Sequence, residues 1–392
     1  LRKNRKIHQV KIKILIAALV LPLGLALAQV LPGAYQTNEY LPLIDGKKVA
    51  IVGNQNSMIN HTHLVDSLLD LNVNIVKVFA PEHGFRGEAE AGAHIADGKD
   101  AKTGLKIVSL YGNNKKPTPE QLSGVDVILF DLQGVGVRFY TYISTLKYMM
   151  EACAEAHIHL IVLDRPNPHA HYIDGPMLDK SQISFVGLLP IPVVYGMTDA
   201  ELALMINGEK WNEKPCPLTC IPIKNYTHET VYELPHPPSP NLPNLESIYL
   251  YPSLCFFEGT KISVGRGTDF PFQVAGYPAF ADKSFSFVPK SKEGFSAKPK
   301  YMNETCYGLD LRQYFKSASD RPTQLNLKWF MDFYKTYPDK SQFFTRFFDK
   351  LAGTDKLQKQ IESGMSEEKI RENWKSDLDG FRLLRAKYLL YP

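Results

Sequence analysis

The sequence predicts an α/β protein: a parallel sheet covered by helices on both faces, followed by a smaller α/β (α+β) domain. Two observations carry this expectation. Short, continuous, β-rich apolar runs recur at 49–52, 75–79, 107–110, 125–130 and 160–163, with segments of helical periodicity between them. Strands apolar on both faces and joined through helices belong to sheets buried on both sides. The composition then shifts near 215 toward proline, aromatics and turns, with five prolines between Leu234 and Asn244. That shift puts a domain boundary near residue 210, dividing 29–210 from 211–392.

The first twenty-eight residues stand apart. Arg2, Lys3, Arg5, Lys6, Lys11 and Lys13 precede an apolar run at 14–28 that closes on Ala26-Leu27-Ala28, the pattern of a signal peptide cleaved after Ala28. The run is shorter than the roughly 20 residues of a spanning helix and is broken by Pro22, so no stable membrane insertion is expected after cleavage. A periplasmic or secreted location follows. Removing six basic residues takes the net charge from +4 to −2, and no remaining basic run offers nucleic acid a phosphate-neutralising face.

Helical periodicity appears at 62–71, 140–156 and 198–207, and Thr118-Pro119-Glu120 reads as a cap with proline in the first turn. Further helices are expected at 325–337, 341–351 and 366–390. Five cysteines cannot all pair within one chain. Pro215 and Pro217 argue against a zinc knuckle at Cys216 and Cys220, leaving a disulfide or two packed thiols.

Each predicted strand gives way to polar residues: Asn54-Gln55, Glu82-His83, Asp131 to Gln133, and Asp164-Arg165. Ligands of open α/β sheets bind at the carboxyl ends of strands, so these groups are aimed at one rim. In Pro81-Glu82-His83-Gly84-Phe85-Arg86-Gly87, an acid beside apolar Phe85 suits a general acid, while an ion pair between Glu82 and Arg86 would merely fix the loop. The stretch from Asp131 through Gln133, Gly134, Gly136 and Arg138 to Tyr140 and Tyr142 forms a glycine loop opening a helix, suited to an anion or to a plain tight turn with Arg138 solvated. A third set, Pro238-Ser239-Pro240-Asn241-Leu242-Pro243 with Glu258 and Arg266, reads as a stiff polar wall, an interdomain hinge, or both. Asp164 is either catalytic or a loop anchor.

Other chemistries lack their signatures. The glycine spacing at 134–138 does not match a dinucleotide fingerprint, and no nucleophile elbow or Walker loop is present. His61 and His63 have no third ligand placed by the sequence, so a helix start explains them better than a metal. No cofactor and no metal are expected.

The segments PEHGFRG (81–87), SLYG (109–112), KPT (116–118), VRFYTY (137–142), LDRPNP (163–168), SPNLP (239–243), EGT (258–260) and SVGRGTDFPF (263–272) occur in an order that resembles the exo-β-N-acetylmuramidase family across nearly all of the chain after residue 28. The resemblance implies a Rossmann-like amino-terminal domain, a smaller α/β domain, a cleft between them and no nucleotide cofactor. It also implies a glycoside hydrolase that frees N-acetylmuramic acid from the non-reducing ends of peptidoglycan-derived disaccharides or muropeptides. Under that reading Glu82 is the acid, with Glu258 or Asp131 as second carboxylate. Arg86, Arg138 and Arg266 are candidates for gripping the lactyl carboxylate. His83, Gln133, Tyr140, Tyr142, Asp164 and Asn241 complete the expected substrate contacts. Carboxyl groups about 5–5.5 Å apart would make the enzyme retaining, and about 6.5–9.5 Å inverting.

The chain departs from the family pattern at Ala93 and Gly134, which replace acidic residues, and at Tyr195, which replaces a histidine. Those changes leave room for a non-catalytic or altered-specificity glycan-binding homologue. An esterase acting on another cell-wall substituent is a third reading.

Overall fold

A computed structural model describes residues 29–82, 84–86, 98–317 and 319–392. The expected signal peptide, His83 and Ala93 lie outside these residues. Chain order gives β1 (Val49–Gly53), β2 (Ile75–Ala80), β3 (Gly98–Lys99), β4 (Lys106–Ser109), β5 (Val127–Asp131), β6 (His159–Leu163) and β7 (Leu218–Ile221). They form one sheet in the order β3-β4-β2-β1-β5-β6-β7, parallel except for the short edge strand β3.

Alternation along each strand explains why these runs are mostly apolar. Ile51, Val78, Leu129 and Ile161 face one core, which includes helices Thr37–Ile44 and Leu64–Asp70. Their neighbours Val52, Phe79, Phe130 and Val162 face the other, where helices Tyr142–Ala156 and Asp199–Gly208 pack. A strand covered on both sides has little room for a polar side chain until it ends, and Lys77 within β2 is accommodated by donating its ammonium to the Gln121 and Ser123 carbonyls. Thr118 and Thr198 close capping boxes with Gln121 and Glu201, so the expected cap at Thr118 starts a helix and a second cap starts the helix expected over 198–207.

The strand order reverses at β1, which has β2 on one side and β5 on the other. The crevice outside the carboxyl ends of β1 and β5 is therefore the switch point where an open α/β sheet receives a ligand. The sheet also takes in β7, which lies past residue 210. Pro217 precedes that strand and its carbonyl already accepts the Leu160 amide.

The rest of the chain builds a smaller antiparallel sheet from β8 (Val274–Tyr277), β9 (Ser286–Phe287) and β10 (Cys306–Asp310), in the order β8-β10-β9. Helices Leu245–Leu254, Leu327–Thr336 and Glu367–Arg385 belong to the same part of the chain. The continuous helix expected over 341–351 does not form. A 3-10 turn at Lys340–Gln342 and a helix at Phe348–Ala352 flank a stretch whose Phe343 carbonyl accepts the Lys261 amide. Phe256, Phe257, Phe330, Phe343 and Phe348 form an aromatic cluster with neighbouring ring centroids 4.8–6.4 Å apart. That cluster belongs to the same apolar core as one face of the large sheet.

Among the described residues all five cysteines are free thiols, so the disulfide alternative at Cys216 and Cys220 gives way to packed thiols. Cys216 hydrogen-bonds with Cys153, and that contact with burial pushes the Cys153 thiol up. No helix among the described residues is long and apolar enough to cross a membrane.

Candidate active site

Glu82 leaves the carboxyl end of β2 and lines a cleft between the two sheets' loops. Phe85, directly after Gly84, drops into the core and meets His63 edge-on at 4.8 Å, which anchors the loop from below. The Glu82 carboxylate accepts the Thr141 hydroxyl at 3.4 Å, just before helix Tyr142–Ala156. Tyr111 also hydrogen-bonds to Glu82; burial and that carboxylate push its phenol well above the usual range.

The facing wall carries Glu258 and Arg266. Helix Leu245–Leu254 runs into a 3-10 turn at Cys255–Gly259, so Tyr251, Cys255 and Glu258 share one face. Arg266 sits between Gly265 and Gly267, both left-handed at φ +77° and +81°. A Cβ at Gly267 would approach the Lys290 carbonyl oxygen to 2.3 Å, so only glycine fits. The guanidinium grips Glu258 through Nε and Nη2, at 2.5 and 3.0 Å. Burial acts to raise the Glu258 pKa, but Arg266 and then Lys300 outweigh it and hold the carboxyl below its usual value. Lys300 donates to the carbonyls of Phe257, Glu258, Thr260 and Ile262, which fixes the turn, and burial lowers its ammonium to about 8.

Tyr140, Tyr142 and Asn241 line the same cleft. The Tyr142 hydroxyl accepts Asn54 Nδ2 at 2.7 Å, Tyr140 donates to the Pro238 carbonyl at 2.7 Å, and Asn241 Nδ2 donates to the Phe295 carbonyl at 2.9 Å. Chemically, the cleft offers a carboxyl at its rim, a second carboxylate kept ionised by a guanidinium, and aromatic walls. Two such carboxyls are what glycoside hydrolysis requires.

Five expected site residues lie elsewhere. Arg86 is held by Asp66 and Asp100, at 3.1 and 2.8 Å, so the loop is fixed by an ion pair but not with Glu82. Arg138 is fully buried rather than solvated, donating to the carbonyls of Pro176, Ile191, Leu351 and Ala352, and burial lowers its guanidinium to about 9. Asp131 is also fully buried, with both oxygens bound to Arg165 at 2.6 and 2.8 Å, which removes it as a second carboxylate. Asp164 anchors structure: it accepts the Ala200 amide and the Tyr391 hydroxyl, at 3.0 and 2.5 Å. Gln133 donates to the carbonyls of Gly134 and Pro166.

His63 uses Nδ1 to accept the Val65 amide, so Nε2 carries the proton donated to the Asn54 carbonyl. No lone pair is left for a metal. Tyr111, Thr141, Tyr251 and Cys255 were not among the expected site residues. The SLYG and VRFYTY segments contain the first two, and the spacing of 251, 255 and 258 was the available signal for the others.

Comparison with known proteins places the chain in a family. The family model described as exo-β-N-acetylmuramidase NamZ, N-terminal, matches residues 49–246, and its C-terminal counterpart matches 249–391. The chain belongs to the NamZ exo-β-N-acetylmuramidase family. Peptidoglycan β-N-acetylmuramidase NamZ of Bacillus subtilis (strain 168) is 38% identical over 384 residues, covering 90% of this chain and 89% of that protein. Two crystal structures of DUF1343 family proteins from Bacteroides fragilis NCTC 9343 share the fold, with TM-scores of 0.84 and 0.80. They are 44% and 30% identical to this chain, and each comparison covers 93% of it and 99% of the other protein.

Within this NamZ-family chain, Gly134 and Tyr195 sit in the interior rather than on the cleft. A Cβ on Gly134 would lie 3.1 Å from an oxygen of Asp199, and Tyr195 is buried. Burial, then the nearby Asp164, raises Asp199 to about 8. A second carboxylate at 134 would crowd and repel that site, so glycine here is a matter of packing.

Proposed function

We propose that this chain is an exo-acting glycoside hydrolase that releases N-acetylmuramic acid from the non-reducing ends of peptidoglycan fragments. The observation that carries the mechanism is the convergence of Glu82 with the Glu258–Arg266 pair on one cleft. Glu82 protonates the departing glycosidic oxygen. Glu258, ionised beside Arg266, stabilises the oxocarbenium-like centre or attacks it. The Arg266 Nη1 donates to no described residue and so can grip the lactyl carboxylate. Tyr140 and Tyr142 present ring surface and fixed hydroxyls to the sugar.

The natural substrates on this reading are disaccharides or muropeptides, and residues 1–28 direct the chain to the periplasm or outside the cell before removal. Incubating purified protein with the disaccharide of N-acetylmuramic acid and N-acetylglucosamine tests the activity by mass spectrometry. Release of both monosaccharides supports it. An intact glycosidic bond, or loss of a substituent alone, defeats it. Proton NMR of the first-formed anomer distinguishes retention from inversion.

A further inference from the structure

The turn that carries Glu258 is held by a stretch of chain that supplies none of the proposed reacting groups. Residues 290–300 run between β9 and β10 and meet this side of the cleft at three points. The Lys290 carbonyl closes the space beside Gly267, the Phe295 carbonyl accepts Asn241 Nδ2, and Lys300 ends the stretch. The Lys300 ammonium donates to the carbonyls of Phe257, Glu258, Thr260 and Ile262, at 3.0, 3.2, 2.7 and 3.2 Å. Two of these carbonyls belong to the 3-10 turn Cys255–Gly259 that extends helix Leu245–Leu254. The last carbonyls of a helix lack partners within it, and a cation placed there satisfies both their lone pairs and the negative end of the dipole. Here one ammonium serves four acceptors, one of them the backbone of Glu258 itself.

We infer that Lys300 is a positioning residue for the second carboxylate: its ammonium, ringed by four carbonyls, fixes the Glu258 turn, and turnover falls when that charge is lost. This rests on the proposed function, through the role given there to Glu258. A protonated lysine has only donors to offer, whereas the neutral amine turns a lone pair toward carbonyl oxygens and loosens the ring. Burial works most strongly against the charge, with Arg266 and Lys261 adding repulsion, while Glu258 and Cys255 favour it; the outcome is about 8. The ring is therefore closed at neutral pH and opens as pH rises past that value. Arg266 is raised above its usual value and keeps Glu258 ionised throughout, so what changes is where the carboxylate sits and not whether it is charged.

The test uses N-acetylmuramic acid β-fluoride, whose leaving group needs no proton from Glu82, so the titration of that acid does not mask the effect. Wild-type kcat on the fluoride is expected to fall several-fold between about pH 7 and about pH 9. Lys300→Met keeps the stem and removes the charge. Its kcat at about pH 7 falls about ten- to hundred-fold with KM little changed, and the further decline toward about pH 9 disappears. In Lys300→Ala, ethylammonium restores part of the lost kcat and tetramethylammonium, which has no N–H to donate, does not. Circular dichroism at the assay pH keeps each comparison on folded protein. Full turnover in Lys300→Met, a pH decline that the substitution leaves in place, or no rescue by ethylammonium overturns the assignment and leaves the proposed function intact. A wild-type profile flat to about pH 9 overturns it without any variant. Wild-type protein inactive on both the fluoride and the disaccharide removes the proposed function and this inference together.

Discussion

Among the bidentate carboxylate–guanidinium pairs of the described residues, Asp131–Arg165 and Glu258–Arg266 have nearly identical geometry and do different work. Asp131 and Arg165 meet at the carboxyl ends of β5 and β6, with side chains 0% and 6% exposed. Arg165 also donates to the Met58 carbonyl, so this pair ties the switch point of the sheet to the hairpin beside it. Glu258 and Arg266 keep 22% and 25% of their side chains exposed and line the cleft. The same fork-to-carboxylate contact is a structural lock where water is excluded and a candidate reaction group where a substrate can enter. Residue type does not separate the two roles; accessibility does.

The sharpest way to break this contrast starts with the acid next to the accessible pair. Glu82→Gln is expected to lower kcat by roughly 10²–10⁴-fold with an unchanged thermal midpoint, measured on the disaccharide; full turnover would remove Glu82 from the mechanism. Next come the pairs themselves. Asp131→Ala strands a buried guanidinium and should cost about 3–5 kcal/mol in urea denaturation. Glu258→Ala should cost only about 1 kcal/mol, because its pair is partly solvated, yet abolish measurable hydrolysis. If the stability losses come out reversed, the division between lock and reaction group fails.

Arg86→Ala extends the comparison to a third ion pair. Stranding the nearly buried Asp100 should cost about 1–3 kcal/mol. In the native protein the Arg86 hydrogen bonds depress Asp100 to about 2. Its stabilising contribution is therefore complete above the unfolded value near 3.8 and is lost as pH falls through about 2. Denaturation midpoints between pH 5 and 2 should show a shallower acid loss in the variant than in the parent.

A pH dependence of the opposite sign is expected at a buried acid with no cation. Burial and Asp164 raise Asp199 to about 8, so the folded state holds a proton that the unfolded chain releases near pH 3.8. Stability from this group is full below the unfolded value and declines as pH rises toward 8. Asp199→Asn should flatten part of that decline, read as the difference between urea midpoints at pH 5 and 8. An unaltered difference would mean Asp199 is ionised in the fold.

Much of the architecture was legible because strands buried on both faces must be written as unbroken apolar runs, as at 49–52 and 160–163. The antiparallel strands β8 and β10 were not read, since Gly276 and Gly308 interrupt any alternation and their partners are remote in sequence. Glu82, Glu258, Arg266 and Asn241 were legible as candidates because glycines and prolines frame them. Arg86 and Arg138 show the limit of that signal. A sequence displays a charge but not its burial, and the carbonyls that hold Arg138 come from residues as distant as 351 and 352.

One apolar core joins Val52 and Phe130 of the large sheet to Phe330 and Trp374 of the carboxyl-terminal helices. Cutting the gene near residue 245 would leave each fragment with an oily wall facing water, prone to clump before it could find its mate. The two sides of the cleft thus share a single folding fate, and the spacing between Glu82 and Glu258 is built in rather than assembled by a swinging hinge.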